Sequence, residues 1–105
     1  MTSVRMTQVT ALILHAVGAG YRYGFDIMDA TGLASGSVYP ALRRLERARL
    51  LRGKWEDAPA ARRGGRPQRR LYELTKAGED AAAEATKKLA NTRALLLGSL
   101  PEQEA

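Results

Sequence analysis

The chain has 105 residues, 45% of them apolar, with one Phe, one Trp, four Tyr, one His and no Cys. That is room for one compact domain and one long extra element, with a core of Leu, Val, Ile and Ala that favours helices over a sandwich. The absent cysteines and single histidine exclude a disulfide framework, a thiol nucleophile and a Cys/His zinc cluster, so neither metal nor cofactor is expected, and a net charge of +6 points to an acidic partner.

The first helix is expected over residues 7–17, where Val9, Leu12, Ile13, Ala16 and Val17 recur at helical spacing before Gly18-Ala19-Gly20. Ala11 and Leu14 fall on roughly the opposite side, which predicts a second apolar contact and places Leu14 at an interface with a partner. His15 lies on the flank, without the companions a catalytic or metal site needs. A short second helix fits residues 23–31, with Tyr23, Ile27 and Ala30 on one face and Gly32 suited to a left-handed end. Only Leu33 and Ala34 then precede Ser35, which is expected to cap the third helix.

That helix, over residues 36–49, has an inner stripe of Val38, Ala41, Leu42, Leu45 and Ala48. At 100° per residue, Gly36, Pro40, Arg43 and Arg47 line the far side, with Arg44, Ser37 and Tyr39 on its flanks. Residues 50–56 read as a strand, residues 57–69 as a loop of Pro, Gly and Arg, and Leu71 to Leu74 as a second strand. Between Arg49 and Arg70, eight cations (Arg49, Arg52, Lys54, Arg62, Arg63, Arg66, Arg69, Arg70) stand against Glu56 and Asp57, which accounts for the whole net charge. A charge run is ordinarily a solvated face; beside an arginine-rich helix it points to a polyanion.

Thr75 is positioned to cap a last helix of about 22 residues, roughly 33 Å long, before Pro101 and a tail at residues 101–105. Ala82, Ala85, Leu89, Thr92 and Leu96 follow a 3, 4, 3, 4 spacing, a short seam of the coiled-coil kind that predicts a homodimer. No apolar run nears the roughly 20 residues of a membrane span and no export signal is recognisable, so a cytoplasmic protein without a membrane partner is expected.

The element order is that of a mainly α, α+β winged helix-turn-helix: a DNA-binding unit over residues 1–75, with a two-stranded β-wing, and a dimerisation helix over residues 76–100 of the same compact unit. Ser35, Ser37, Tyr39, Pro40, Arg43, Arg44 and Arg47 of the third helix, with Arg62, Arg63, Arg66 and Arg69 of the wing, are the expected contacts to double-stranded DNA. Gly64-Gly65-Arg66-Pro67 also has the Gly-Arg-Pro core of minor-groove hooks. Trp55 is read first as packing against the last helix and second as a platform for a planar ligand; Tyr21, Tyr23 and Phe25 are read as packing around the core.

Tyr23-Gly24-Phe25-Asp26-Ile27, Gly36-Ser37-Val38-Tyr39-Pro40-Ala41-Leu42-Arg43-Arg44-Leu45-Glu46, and Gly64-Gly65-Arg66-Pro67 leading to Tyr72-Glu73-Leu74-Thr75-Lys76-Ala77-Gly78 together resemble the PadR-type transcriptional regulators, from about Leu12 to Leu97. The resemblance implies a homodimeric repressor that binds a palindromic operator and is released by a small aromatic or drug-like effector. Two features depart from the family pattern: a short connection between the second and third helices, and a C-terminal helix without aromatics, which leaves Trp55 as the candidate platform. The alternative is a winged helix whose basic face contacts protein or RNA without an operator. An enzyme is excluded by the lack of clustered carboxylates, a nucleophile and base, or a phosphate-cradling loop.

Overall fold

The computed structural model describes residues 6–98. In chain order its elements are α1 (Gln8–Gly18), α2 (Gly24–Thr31), α3 (Ser35–Arg47), β1 (Leu51–Trp55), α4 (Ala58–Arg63), β2 (Arg70–Leu74) and α5 (Lys76–Leu96). The tail expected at residues 101–105 lies outside the described residues.

α1 begins where Thr7 and Thr10 cap each other. The Thr10 backbone N–H donates to Thr7 Oγ1 at 3.3 Å, and the Thr7 N–H donates to Thr10 Oγ1 at 2.9 Å, so two donors that the helix start would strand find partners. Its Ile13, Leu14, Ala16 and Val17 are buried with Ile27 of α2, with Val38, Ala41, Leu42 and Leu45 of α3, and with Leu51 and Tyr72 of the two strands. The expectation for the second face of α1 needs correction. Leu14 is fully buried and Ala11 buried within the chain, because α5 of the same chain lies along α1; Leu14 is therefore a core residue and not a dimer contact.

α2 stops at Gly32, whose backbone is left-handed (φ 75°) and whose N–H donates to the Met28 carbonyl at 2.8 Å. So short a helix sends only Ile27 deep into the core, and Ala30, expected on the buried face, is exposed. The extended residue before α3 is Ala34, without a side-chain cap, which makes Ser35 the first helical residue and not its cap.

β1 and β2 form an antiparallel ribbon in the register Leu51↔Leu74, Gly53↔Tyr72 and Trp55↔Arg70. The chain just before α2 adds a third edge that local sequence pattern does not reveal: Tyr23 bridges Leu71, and the Tyr72 N–H donates to the Arg22 carbonyl at 2.9 Å. The stretch joining β1 to β2 is not a plain loop. It holds α4, with Pro59 in its first turn, where a missing N–H costs nothing, and Ala61 buried. Thr75 caps α5 as expected, its Oγ1 accepting from the Gly78 N–H at 3.0 Å. Among the described residues no helix is long and apolar enough to cross a membrane. The result is a winged helix-turn-helix of the α+β class, with α3 and the ribbon tip on the periphery and α5 running along α1.

Candidate nucleic-acid interface

α3 is divided sharply between two environments. Val38, Ala41, Leu42 and Leu45 are buried, whereas Ser35, Gly36, Ser37, Tyr39, Arg43, Arg44 and Arg47 are exposed and Pro40 is half-buried. The one carboxylate of the helix, Glu46, is turned toward the ribbon, where the Arg70 guanidinium donates to it. The outward face of α3 is therefore cationic and free of acid, the composition a duplex requires.

Small residues make this arrangement possible. A Cβ on Gly53 would stand 2.8 Å from Arg70 Nε and 2.9 Å from Glu46 Oε2, so the Glu46–Arg70 pair crosses β1 only because that position is glycine. A Cβ on Gly24 would lie 2.6 Å from Tyr39 Oη, so the Tyr39 ring rests against the start of α2. Tyr39 with Tyr23, Phe25, Arg69, Arg70 and Tyr72 surrounds a cavity of about 210 Å³. Burial raises the Tyr72 hydroxyl above its ordinary pKa, which keeps it neutral. Of the three aromatics expected to pack, Tyr23 is half-buried with the Arg69 guanidinium 3.9 Å from its ring centre, but Tyr21 and Phe25 are exposed, Phe25 at 70%.

Trp55 also departs from expectation. It is 63% exposed at the end of the ribbon far from α5, with the Arg70 guanidinium 5.3 Å from its ring centre in place of the last helix. Its neighbour Glu56 is the residue that charge counting missed, having entered only as one acid among eight cations. Its side chain is 9% exposed and holds Arg66 through both oxygens, with Arg66 Nη2 donating to Oε2 at 2.8 Å. Arg69 donates to the same carboxylate twice, from its backbone N–H and from Nη2, each at 3.2 Å. The Arg66 hydrogen bonds, aided by those of Arg69, lower the Glu56 pKa from 4.5 to about 2. A carboxylate depressed in this way stabilises the wing above pH 4.5 and loses that contribution as pH falls through about 2, so it is charged at every ordinary pH. Arg62 and Arg63, in the last turn of α4, are exposed.

The expected dimer seam is split. Ala85 is buried and Ala82 half-buried against the core, both claimed by α1, so Ala85 is corrected to a contact within the chain. Leu89, Thr92 and Leu96 stay exposed and, with Met6, Ala11 and Lys88, line an open groove of about 350 Å³.

The model of the transcriptional regulator PadR-like family matches residues 13–84, which takes in the core, α3, the wing and the first turns of α5. The chain belongs to that family. Its fold is shared with a PadR family transcription regulator from hypervirulent Clostridium difficile R20291, at 20% identity over 88% of this chain and 97% of that one, TM-score 0.75. A Streptococcus mutans UA159 protein is similar at 25% identity over 90% and 91% of the two chains, TM-score 0.71. The PcaV transcriptional regulator from Streptomyces coelicolor, solved in complex with its natural ligand, is similar at 22% identity over 99% of this chain and 70% of that one, TM-score 0.73. No curated protein sequence matches the chain. Within the PadR-like frame, the residues expected to meet DNA from α3 share one face, while the four wing arginines divide into a free pair and a held pair.

Proposed function

We propose that the chain is a cytoplasmic, sequence-specific DNA-binding repressor that works as a homodimer, placing α3 of each copy in a major groove of a palindromic operator. The observation that carries this reading is the acid-free outer face of α3, backed by a fully apolar inner face that fixes its orientation. Ser35, Ser37 and Tyr39 stand at the N-terminal turns, the part of such a helix that comes nearest base edges, and Arg43 is one turn further on. Arg44 and Arg47, at the C-terminal end, suit phosphates. Release by a small planar effector has its candidate platform in Trp55, beside the wing, so an effector stacked there competes directly with the duplex.

Selection of bound duplexes from a random pool, followed by salt titration of the winner, tests the reading. The expected outcome is a palindrome with two half-sites. Arg43→Ala should lose about 1 to 3 kcal/mol per half-site and relax preference at one symmetric pair of positions. A pool that yields no preferred sequence, with Tyr39→Ala and Arg43→Ala binding like the parent, would rule out α3 as the reader and favour protein or RNA contacts by the basic face.

A further inference from the structure

The four arginines of the wing stand in two different surroundings. Arg62 and Arg63 project from the last turn of α4, exposed. Both terminal nitrogens of Arg66 are committed to the two Glu56 oxygens, the fork-on-fork geometry that makes the strongest arginine pairs. Arg69 is committed through its backbone N–H and Nη2, its guanidinium lies on the Tyr23 ring, and its Nε is buried without a hydrogen-bond partner. The base of the wing is closed by two further bonds: the Glu56 N–H donates to the Arg69 carbonyl at 2.7 Å, and Gln68 Nε2 donates to the Glu56 carbonyl. For Arg66 to reach a phosphate it must leave a carboxylate that is only 9% exposed without its main partner, whereas Arg62 and Arg63 leave nothing behind.

We propose that Glu56 is the positioning residue of the wing: by holding Arg66 and Arg69 it leaves Arg62 and Arg63 as the wing's phosphate contacts and fixes α4 at the tip. The inference rests on the reading that the wing meets a duplex. It divides a run of cations that look equivalent in sequence into two contacts and two struts.

The experiment has two arms on the full chain. In the first, the salt dependence of binding to one fixed duplex is measured. Arg62→Ala and Arg63→Ala should each lower the slope by about 2 for a dimer with two wings, since each phosphate contributes about 0.9. Glu56→Gln should raise the slope, because two arginines per wing are released to take phosphates, and Glu56→Asp, which keeps the charge on a shorter arm, should fall between. In the second arm, without DNA, trypsin should cut after Arg62, Arg63 and Arg69 faster in Glu56→Gln than in the parent, while cleavage after Arg66 stays blocked by Pro67. Circular dichroism confirms that the core, which does not include Glu56, stays folded. A Glu56→Gln slope equal to the parent's overturns the proposal even if digestion is faster, as does a loss of slope in Arg66→Ala equal to that in Arg62→Ala. A parent that binds no duplex overturns the DNA reading itself, and the digestion contrast then reports separately whether Glu56 holds the wing.

Discussion

Tyr39 owes its place to an absence at Gly24. Its ring fills the space a side chain there would need, with Cε1 and Oη 2.6 Å from the position of the missing Cβ. Because the ring is the far end of a side chain and can swing away, Gly24→Ala should displace Tyr39 without harming the fold; alanine in the first turn of α2 even suits a helix better. The expected result is a melting transition within about 1 kcal/mol of the parent together with weaker discrimination of the selected operator, by up to about 1 to 3 kcal/mol per half-site. Anisotropy titrations of operator and scrambled duplex, run beside thermal melts, read both quantities. Equal loss of stability and affinity would mean that Gly24 matters to the fold alone and that Tyr39 does not read DNA.

Among elements, the tightest junction is where the first turn of α5 crosses the turn between α3 and β1. Thr75 Oγ1 donates to the Arg49 carbonyl at 2.6 Å, the Thr75 N–H donates to the Leu50 carbonyl at 3.1 Å, and a Cβ on Gly78 would stand 1.9 Å from that same Leu50 oxygen. Backbone cannot swing aside as a ring does, so Gly78→Ala should cost about 1 to 3 kcal/mol or more. Gly36 provides the contrast: it lies within α3 with nothing within 4 Å of its missing Cβ, and Gly36→Ala should gain about 0.5 to 1 kcal/mol. Urea melts of the two variants check the opposite signs. The junction also marks the boundary of what was legible in sequence. The stripe of Val38, Leu42 and Leu45 and the Thr75 cap are local patterns, and they placed the long helices, the ribbon and the arginine face of α3 correctly. Contacts between distant segments were not legible: the Tyr23–Leu71 bridge, the Gly53 gap for Glu46–Arg70, and the packing of α5 along α1 that buries Leu14 and Ala85 all depend on tertiary placement. α4 was hidden for another reason, since Pro59 and the glycines after Arg63 read as breakers although the residues between them can form one short helix.

At the scale of the whole molecule, α5 is longer than its own chain can use. Twenty-one residues at 1.5 Å each make a rod of roughly 32 Å; its first turn is held at Gly78 against Leu50, and Ala82 and Ala85 turn inward where it lies along α1. The second half carries Leu89 at 39% exposure and Leu96 at 79%, along one side of the groove that Met6 and Ala11 complete. Full burial of a leucine side chain is worth about 1.5 to 3 kcal/mol, and a two-fold axis applies that gain to both copies at once. On the proposed homodimer reading, a second copy of α5 would cover the exposed leucines and would also present two α3 helices to one duplex. Leu96→Asp is the cleaner test, because Leu96 has little to lose within its own chain; Leu89→Asp should weaken the dimer too, with some loss of protomer stability. Sedimentation at micromolar concentration should find the parent dimeric and Leu96→Asp monomeric, with an unchanged circular dichroism spectrum and a lower melting transition, since association no longer adds to stability. Its slope of affinity against salt should fall to about half, since one wing and one α3 then remain on the DNA. A Leu96→Asp dimer as tight as the parent would place the two-fold axis elsewhere and leave the groove between α1 and α5 without its proposed occupant.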